Sequence, residues 1–184
     1  MFSTVQSMCN YLKGKKTITI VSGFWDPLGK QHILLFNEAK KIGDYLIVGT
    51  NSDECGLMKK KQACFMPLND RMEICLNIKS VDEVMSFKDS DGTACQLIQK
   101  IYDKYETEVE SGLVELVFCN GGDRSSGLNT PEQKYVDKYL NGKVKMIYGV
   151  GGYNKYASSS EYLRDWVNNT MKRYDIDFQL TKKY

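Results

Sequence analysis

The sequence predicts one α/β domain, a five-stranded parallel sheet with helices on both faces. Three observations predict it. Five runs rich in β-branched and aromatic residues read as strands, helical patterns fall between them, and 184 residues suit one domain with a real core. Strand alternating with helix in this way implies parallel pairing through right-handed crossovers.

Residues 1–14 stand outside the alternation as an N-terminal extension, 15–171 form the domain, and 172–184 are a C-terminal tail. The first strand reads Thr17 to Ser22. A helix from His32 to Ile42 then places Leu35, Ala39 and Ile42 on one face and stops at Gly43, which suits a left-handed residue after a helix. The second strand is Tyr45 to Thr50. The next helix, Asn69 to Ile78, opens with Asn69 or Asp70 as N-cap and turns Met72, Cys75 and Leu76 inward. Strand Val84 to Phe87, helix Thr93 to Tyr105 and strand Val114 to Cys119 follow. Helix Pro131 to Leu140 starts on a proline, which is favoured there, and strand Val144 to Tyr148 and helix Ser158 to Met171 complete the set. Beyond it Tyr174, Ile176, Phe178 and Leu180 alternate with polar residues, the pattern of an edge strand or an oligomer contact.

Composition narrows the function. Hydrophobic residues make up 42% and charged residues 26%, which is ordinary globular usage and excludes disorder and a membrane class. The net charge, 25 − 23 = +2, is too near neutral for nucleic-acid binding by charge alone. No apolar run is long enough to span a bilayer and the first residues lack a signal-peptide core, so a cytoplasmic location with no membrane partner is expected. The six cysteines include no CxxC pair, and buried reduced thiols are expected rather than disulfides or metal ligands.

In a parallel sheet, ligands collect beyond the carboxyl ends of the strands. Those places read SGFWDPLGKQH, GTNSDE, FKDSDGT, CNGGDRSSG and GVGGYNKYASSS. The first holds a glycine at a strand end, a short loop and a helix beginning near His32, the only histidine. Such a helix start presents free N–H groups and the positive end of its dipole to a phosphate.

These residues resemble the cytidylyltransferase-like nucleotidyltransferases typified by the glycerol-phosphate, phosphocholine and phosphoethanolamine enzymes, which carry GxFDxxHxGH at this junction. The likeness continues in order through KKKQACFMPLNDRMEICLNIKSVDEVMSF, VFCNGGDR and GVGGYNKYASSSEYLR, and runs from Thr17 to Trp166. It implies a Rossmann-like fold and transfer of a nucleotidyl group from CTP or ATP, with magnesium, to a phosphorylated small-molecule acceptor, an alcohol or a sugar. Pyrophosphate leaves and no covalent enzyme intermediate forms. Relatives are often dimers, so a homodimer is among the implied assemblies.

Carried over residue by residue, the resemblance assigns His32, Lys60 and Arg164 to catalysis. It assigns Gly23, Phe24, Trp25, His32, Gly121, Asp123, Arg124, Gly151, Ser158, Ser159 and Ser160 to the nucleotide, and no residue to a metal. Other readings stay open beside these. Trp25 suits a core, the Lys59–Lys61 run suits a solvated loop, and Asp26 suits a loop-ordering acceptor. Arg71 matches the arginine that opens the second helix in relatives, where both a salt bridge and a ligand role fit. The ISSTxxR spacing of the family would place its arginine at Leu163, one residue before Arg164. Gly29 stands where the first motif histidine belongs and Gln31 where the glycine belongs. Reduced, altered or absent turnover therefore remain alternatives, the last leaving a nucleotide-binding sensor or assembly partner.

Overall fold

A computed structural model describes residues 14–61, 63–121, 130–152 and 159–174. Its sheet contains β1 (Lys16–Gly23), β2 (Tyr45–Thr50), β3 (Glu83–Ser86), β4 (Val114–Gly121) and β5 (Val144–Val150). The spatial order is β3-β2-β1-β4-β5, and every neighbouring pair is parallel. The described helices are α1 (Lys30–Ile42), α2 (Asp53–Lys60), α3 (Leu68–Leu76), α4 (Cys95–Glu110), α5 (Pro131–Tyr139) and α6 (Ser159–Arg173). This is the Rossmann-like α/β arrangement that the alternation predicts.

Successive side chains of a strand point to opposite faces, and both faces are covered. Ile18, Ile20, Ile47, Leu116 and Phe118 pack with Leu97, Ile98 and Ile101 of α4 and Val136 of α5. Val21, Leu46, Val48, Val117 and Cys119 pack on the other face with Phe36 and Ala39 of α1 and Cys75 of α3. Burying one such large apolar side chain contributes about 1.5–3 kcal/mol. Cys55, Cys75, Cys95 and Cys119 are buried free thiols, and Cys64 is a half-buried one.

The elements differ from the sequence reading in several particulars. Gly43 is extended (φ −139°, ψ 172°), not left-handed. It is needed for space, because a Cβ there would lie 2.7 Å from the Thr17 carbonyl oxygen. Phe36, rather than Ile42, fills the inward face of α1, and Ile42 is exposed. The N-cap of α3 is Pro67, so Asn69 and Asp70 lie within its first turn, and Leu76 faces outward. Helix α4 starts at Cys95 and passes the expected end at Tyr105, whose φ of −120° and ψ of 16° make a kink there. Helix α5 has the proline start that was expected, with Thr130 Oγ1 accepting the Gln133 N–H at 3.2 Å. Helix α6 runs two residues past Met171, to Arg173. The extension before Gly14 and the alternating residues after Tyr174 lie outside the described residues.

The largest difference is α2, which the sequence reading leaves as a turn and a lysine loop. Its signals are nevertheless present. Ser52 caps the helix by accepting the Cys55 N–H at 3.0 Å, Asp53 and Glu54 occupy the first turn, and Lys59 and Lys60 the last. Lys60 is therefore a helical residue. The chain leaves α2 through Lys61, which is left-handed with φ 56°.

Candidate active site

Strand order reverses about β1, with β2 on one side and β4 on the other. A cleft of about 400 Å³ opens at their carboxyl ends, the place where doubly wound sheets bind ligands. It gathers Gly23, Phe24, Trp25 and His32 from the first junction, Lys60 from α2, Gly121 from the end of β4, and Ser159 and Ser160 from α6. Ser159 Oγ donates to the Pro27 carbonyl at 2.8 Å, which ties the start of α6 to the β1–α1 loop across 132 residues of sequence.

His32 occupies the third position of α1. Its Nδ1 accepts the Gly29 N–H at 3.0 Å, so the proton of the neutral ring resides on Nε2 and leaves that nitrogen as a donor. Burial first, and the Lys60 ammonium second, lower the imidazole pKa from its ordinary 6.5. Because the folded pKa lies below the unfolded one, the unfolded chain binds the proton more readily. The resulting stability is complete above pH 6.5 and is lost as pH falls through the folded value. The expected outcome is a urea midpoint that declines on acidification below pH 6.5 in the wild type and stays flatter in His32→Gln. Parallel profiles would contradict it. Asp53 and Asp89, whose folded pKa values lie below 3.8, lose their contributions only at lower pH.

Trp25 is buried beneath the cleft. Its Nε1 donates to the Gly49 carbonyl at 3.0 Å, and its ring meets His32 edge-on at 5.2 Å and Phe36 at 4.8 Å. A Cβ on Gly23 would come within 2.7 Å of the indole, which explains a glycine at the end of β1. Asp26 accepts the N–H groups of Phe65 at 2.8 Å and Met66 at 2.9 Å, so both carboxylate oxygens order the loop that follows α2.

Lys60 reaches the cleft with its ammonium 4.5 Å from the Phe24 ring centroid. Helix α2 is held by Asp89, which accepts the Asn51 side-chain amide at 2.8 Å, the Ser52 N–H at 2.8 Å and the Ser52 hydroxyl at 2.6 Å. Burial raises the Asp89 pKa, but these hydrogen bonds outweigh it and the net shift is downward.

Arg71 takes the structural role. Its side chain is wholly buried, with Nη1 donating to the carbonyls of Phe24 at 2.6 Å and Asn51 at 3.0 Å, and Nε to Met66 at 3.0 Å. Nη2 donates to Asp53 at the start of α2. Burial raises the Asp53 pKa, but hydrogen bonds from Arg71 and the Leu68 N–H outweigh it, for a net downward shift.

Not every predicted residue joins the cleft. Arg164 is half-buried on α6 and Gly151 follows β5, and neither contributes to the lining. Gly151 (φ 87°) instead lies against α1, where an added Cβ would come 3.1 Å from Leu35 Cα. Gln31 likewise stands outside the lining. Asp123, Arg124 and Ser158 lie outside the described residues. Conversely, Lys59, Asn51, Thr93, Asn120 and Glu132 line the cleft without having been singled out for it. Asn51, Thr93 and Asn120 fall in segments after strands, the signal that marks such positions, whereas Lys59 and Glu132 lie on α2 and α5 and only the folded chain brings them to the cleft. Among the described residues no group of three His, Cys, Asp or Glu gathers to hold a metal, and no helix is long and apolar enough to cross a membrane.

The chain belongs to the cytidylyltransferase-like family, which matches residues 20–164. It is 35% identical over 123 residues to the bifunctional protein HldE of Actinobacillus succinogenes, a match covering 61% of this chain and 25% of that protein. It is 39% identical over 72 residues to FAD synthase of Thermococcus kodakarensis, covering 39% of this chain and 48% of the synthase. The matches thus span about a quarter and about half of those relatives. The lipopolysaccharide core biosynthesis protein of Thermoplasma volcanium shares the fold, with a TM-score of 0.55 at 19% identity over 76% of this chain and 99% of that one.

Proposed function

We propose that the chain transfers a nucleotidyl group from ATP or CTP to a phosphorylated small alcohol or sugar and releases pyrophosphate. The observation that carries this reading is the Ser159–Pro27 hydrogen bond, which brings the start of α6 beside the loop that leads to His32. An acceptor phosphate oxygen attacks the α-phosphorus, one P–O bond forms, and the α–β bridging bond breaks with its electron pair leaving on pyrophosphate. The protein has only to align these groups and neutralise the developing charge. His32 Nε2–H and the Lys60 ammonium serve the transferring phosphate, and Ser159 and Ser160 at the α6 N-terminus serve the β- and γ-phosphates. The FAD synthase relative, whose named product contains adenine, favours ATP over CTP.

Magnesium fits as a companion of the triphosphate. It binds through phosphate oxygens and retained waters more readily than in an all-protein cage. When bound it offsets phosphate charge.

A pyrophosphate-release assay with ATP and CTP against glycerol 3-phosphate, phosphocholine, sugar phosphates and FMN tests the proposal. Release that requires both nucleotide and acceptor supports it. Tight nucleotide binding by calorimetry without release from any pair favours the second reading, a nucleotide binder that has lost turnover. Gly29 and Gln31 are the observation behind that reading. A side chain fits at Gly29, whose backbone is extended (φ −126°) and whose added Cβ would sit 3.7 Å from the Tyr162 ring. Gly29→His with Gln31→Gly is therefore expected to raise kcat, by about a hundredfold or more if one phosphate donor is missing. An unchanged kcat would show that the wild-type loop lacks no donor.

A further inference from the structure

We propose that Trp25 is the positioning residue for His32, acting with the Gly29 N–H to hold the imidazole as an Nε2–H donor in the cleft. What that donor does rests on the transfer reading above, whereas how it is held does not. Trp25 has φ 56°, a left-handed backbone that bulky residues rarely adopt. Such a residue persists where its surroundings over-determine it, and these cluster at functional sites. Four contacts do so here. The indole N–H is anchored on the Gly49 carbonyl, and the ring lies against Gly23 and meets Phe36 and His32 edge-on.

The His32 contact is T-shaped, with an interplanar angle of 82°, a favourable aromatic geometry that fixes the ring plane. The Gly29 N–H on Nδ1 then fixes which nitrogen carries the proton. The motif this chain resembles has phenylalanine at position 25, so the indole N–H and its bond to Gly49 belong to this sequence. The loop keeps its one histidine oriented through a main-chain donor at position 29, where the motif's other histidine is replaced.

His32 is the only histidine, so long-range proton–nitrogen NMR reads one imidazole without assignment. At pH 8 the wild type is expected to show a single neutral form, Nε2 pyrrole-like and Nδ1 pyridine-like. A wild-type Nδ1–H form, or a free-imidazole tautomer average, overturns the proposal. Trp25→Leu is expected to move these signals toward the free average and to lower kcat about tenfold to a hundredfold through misplacement of the donor, with nucleotide KM changed less than about threefold. Trp25→Phe, which keeps a ring and loses the anchor, is expected to fall between, and it supplies the test if the leucine variant does not fold. A folded variant with reduced thermal stability but wild-type His32 signals and kcat would show a purely core role and overturn the proposal. If wild-type protein shows no transfer, the NMR arm alone decides it.

Discussion

Arg71→Ala lowers the unfolding free energy by about 2–5 kcal/mol, because it strands one buried and two part-buried carbonyl acceptors, at roughly 1–3 kcal/mol for a fully buried one and less for the others. The acceptors belong to Phe24, Asn51 and Met66, so one guanidinium joins the first junction, the end of β2 and the loop before α3. Asp53 adds little to the loss. Its side chain is 45% exposed, and a half-exposed partner is largely solvated once the pair is broken. Arg71→Lys recovers only part, since an ammonium cannot reproduce the planar fork. Urea unfolding at unchanged m-value measures both. A loss below about 1 kcal/mol for the alanine variant would mean that these carbonyls find other donors.

His32→Ala lowers kcat by about a hundredfold to a thousandfold, the usual cost of removing one preorganised donor from a charge-gathering transition state. Nucleotide affinity is expected to change little, because the proposal gives the β- and γ-phosphates to Ser159 and Ser160 rather than to His32. His32→Gln recovers part of the rate, since its amide can donate where Nε2–H does. Steady-state pyrophosphate release with the acceptor that emerges from the panel measures both variants. Turnover of His32→Ala at the wild-type rate would remove the imidazole from the mechanism.

The fold was legible because its signals are local. The five strands are short β-branched runs, and the bounds read from them lie within two residues of those in the structure. Helix α2 escaped because its mixed sequence, DECGLMKK, carries little amphipathic pattern, although its cap and end charges were present. Gly43 does end the helix, but by a physical cause other than a left-handed backbone. Its constraint comes from Thr17, a neighbour in space rather than in sequence.

The candidate site is legible to the extent that loop chemistry repeats a known motif, which points to His32, Lys60, Ser159 and Ser160, all in the cleft lining. The partners of Arg71 were not. They come from three separate segments, and only the folded chain shows that the guanidinium spends its donors inside the protein. The rotation of α6 decides whether Arg164 reaches the cleft, and a one-residue departure from the motif spacing turns a side chain by about 100°.

The most direct measurement is a crystal structure with a non-hydrolysable analogue of ATP or CTP and magnesium. The predicted result is an α-phosphate against His32, with the β- and γ-phosphates at Ser159 and Ser160. A nucleotide bound outside the cleft, or one inside it with its phosphates pointing away from the α6 N-terminus, contradicts it.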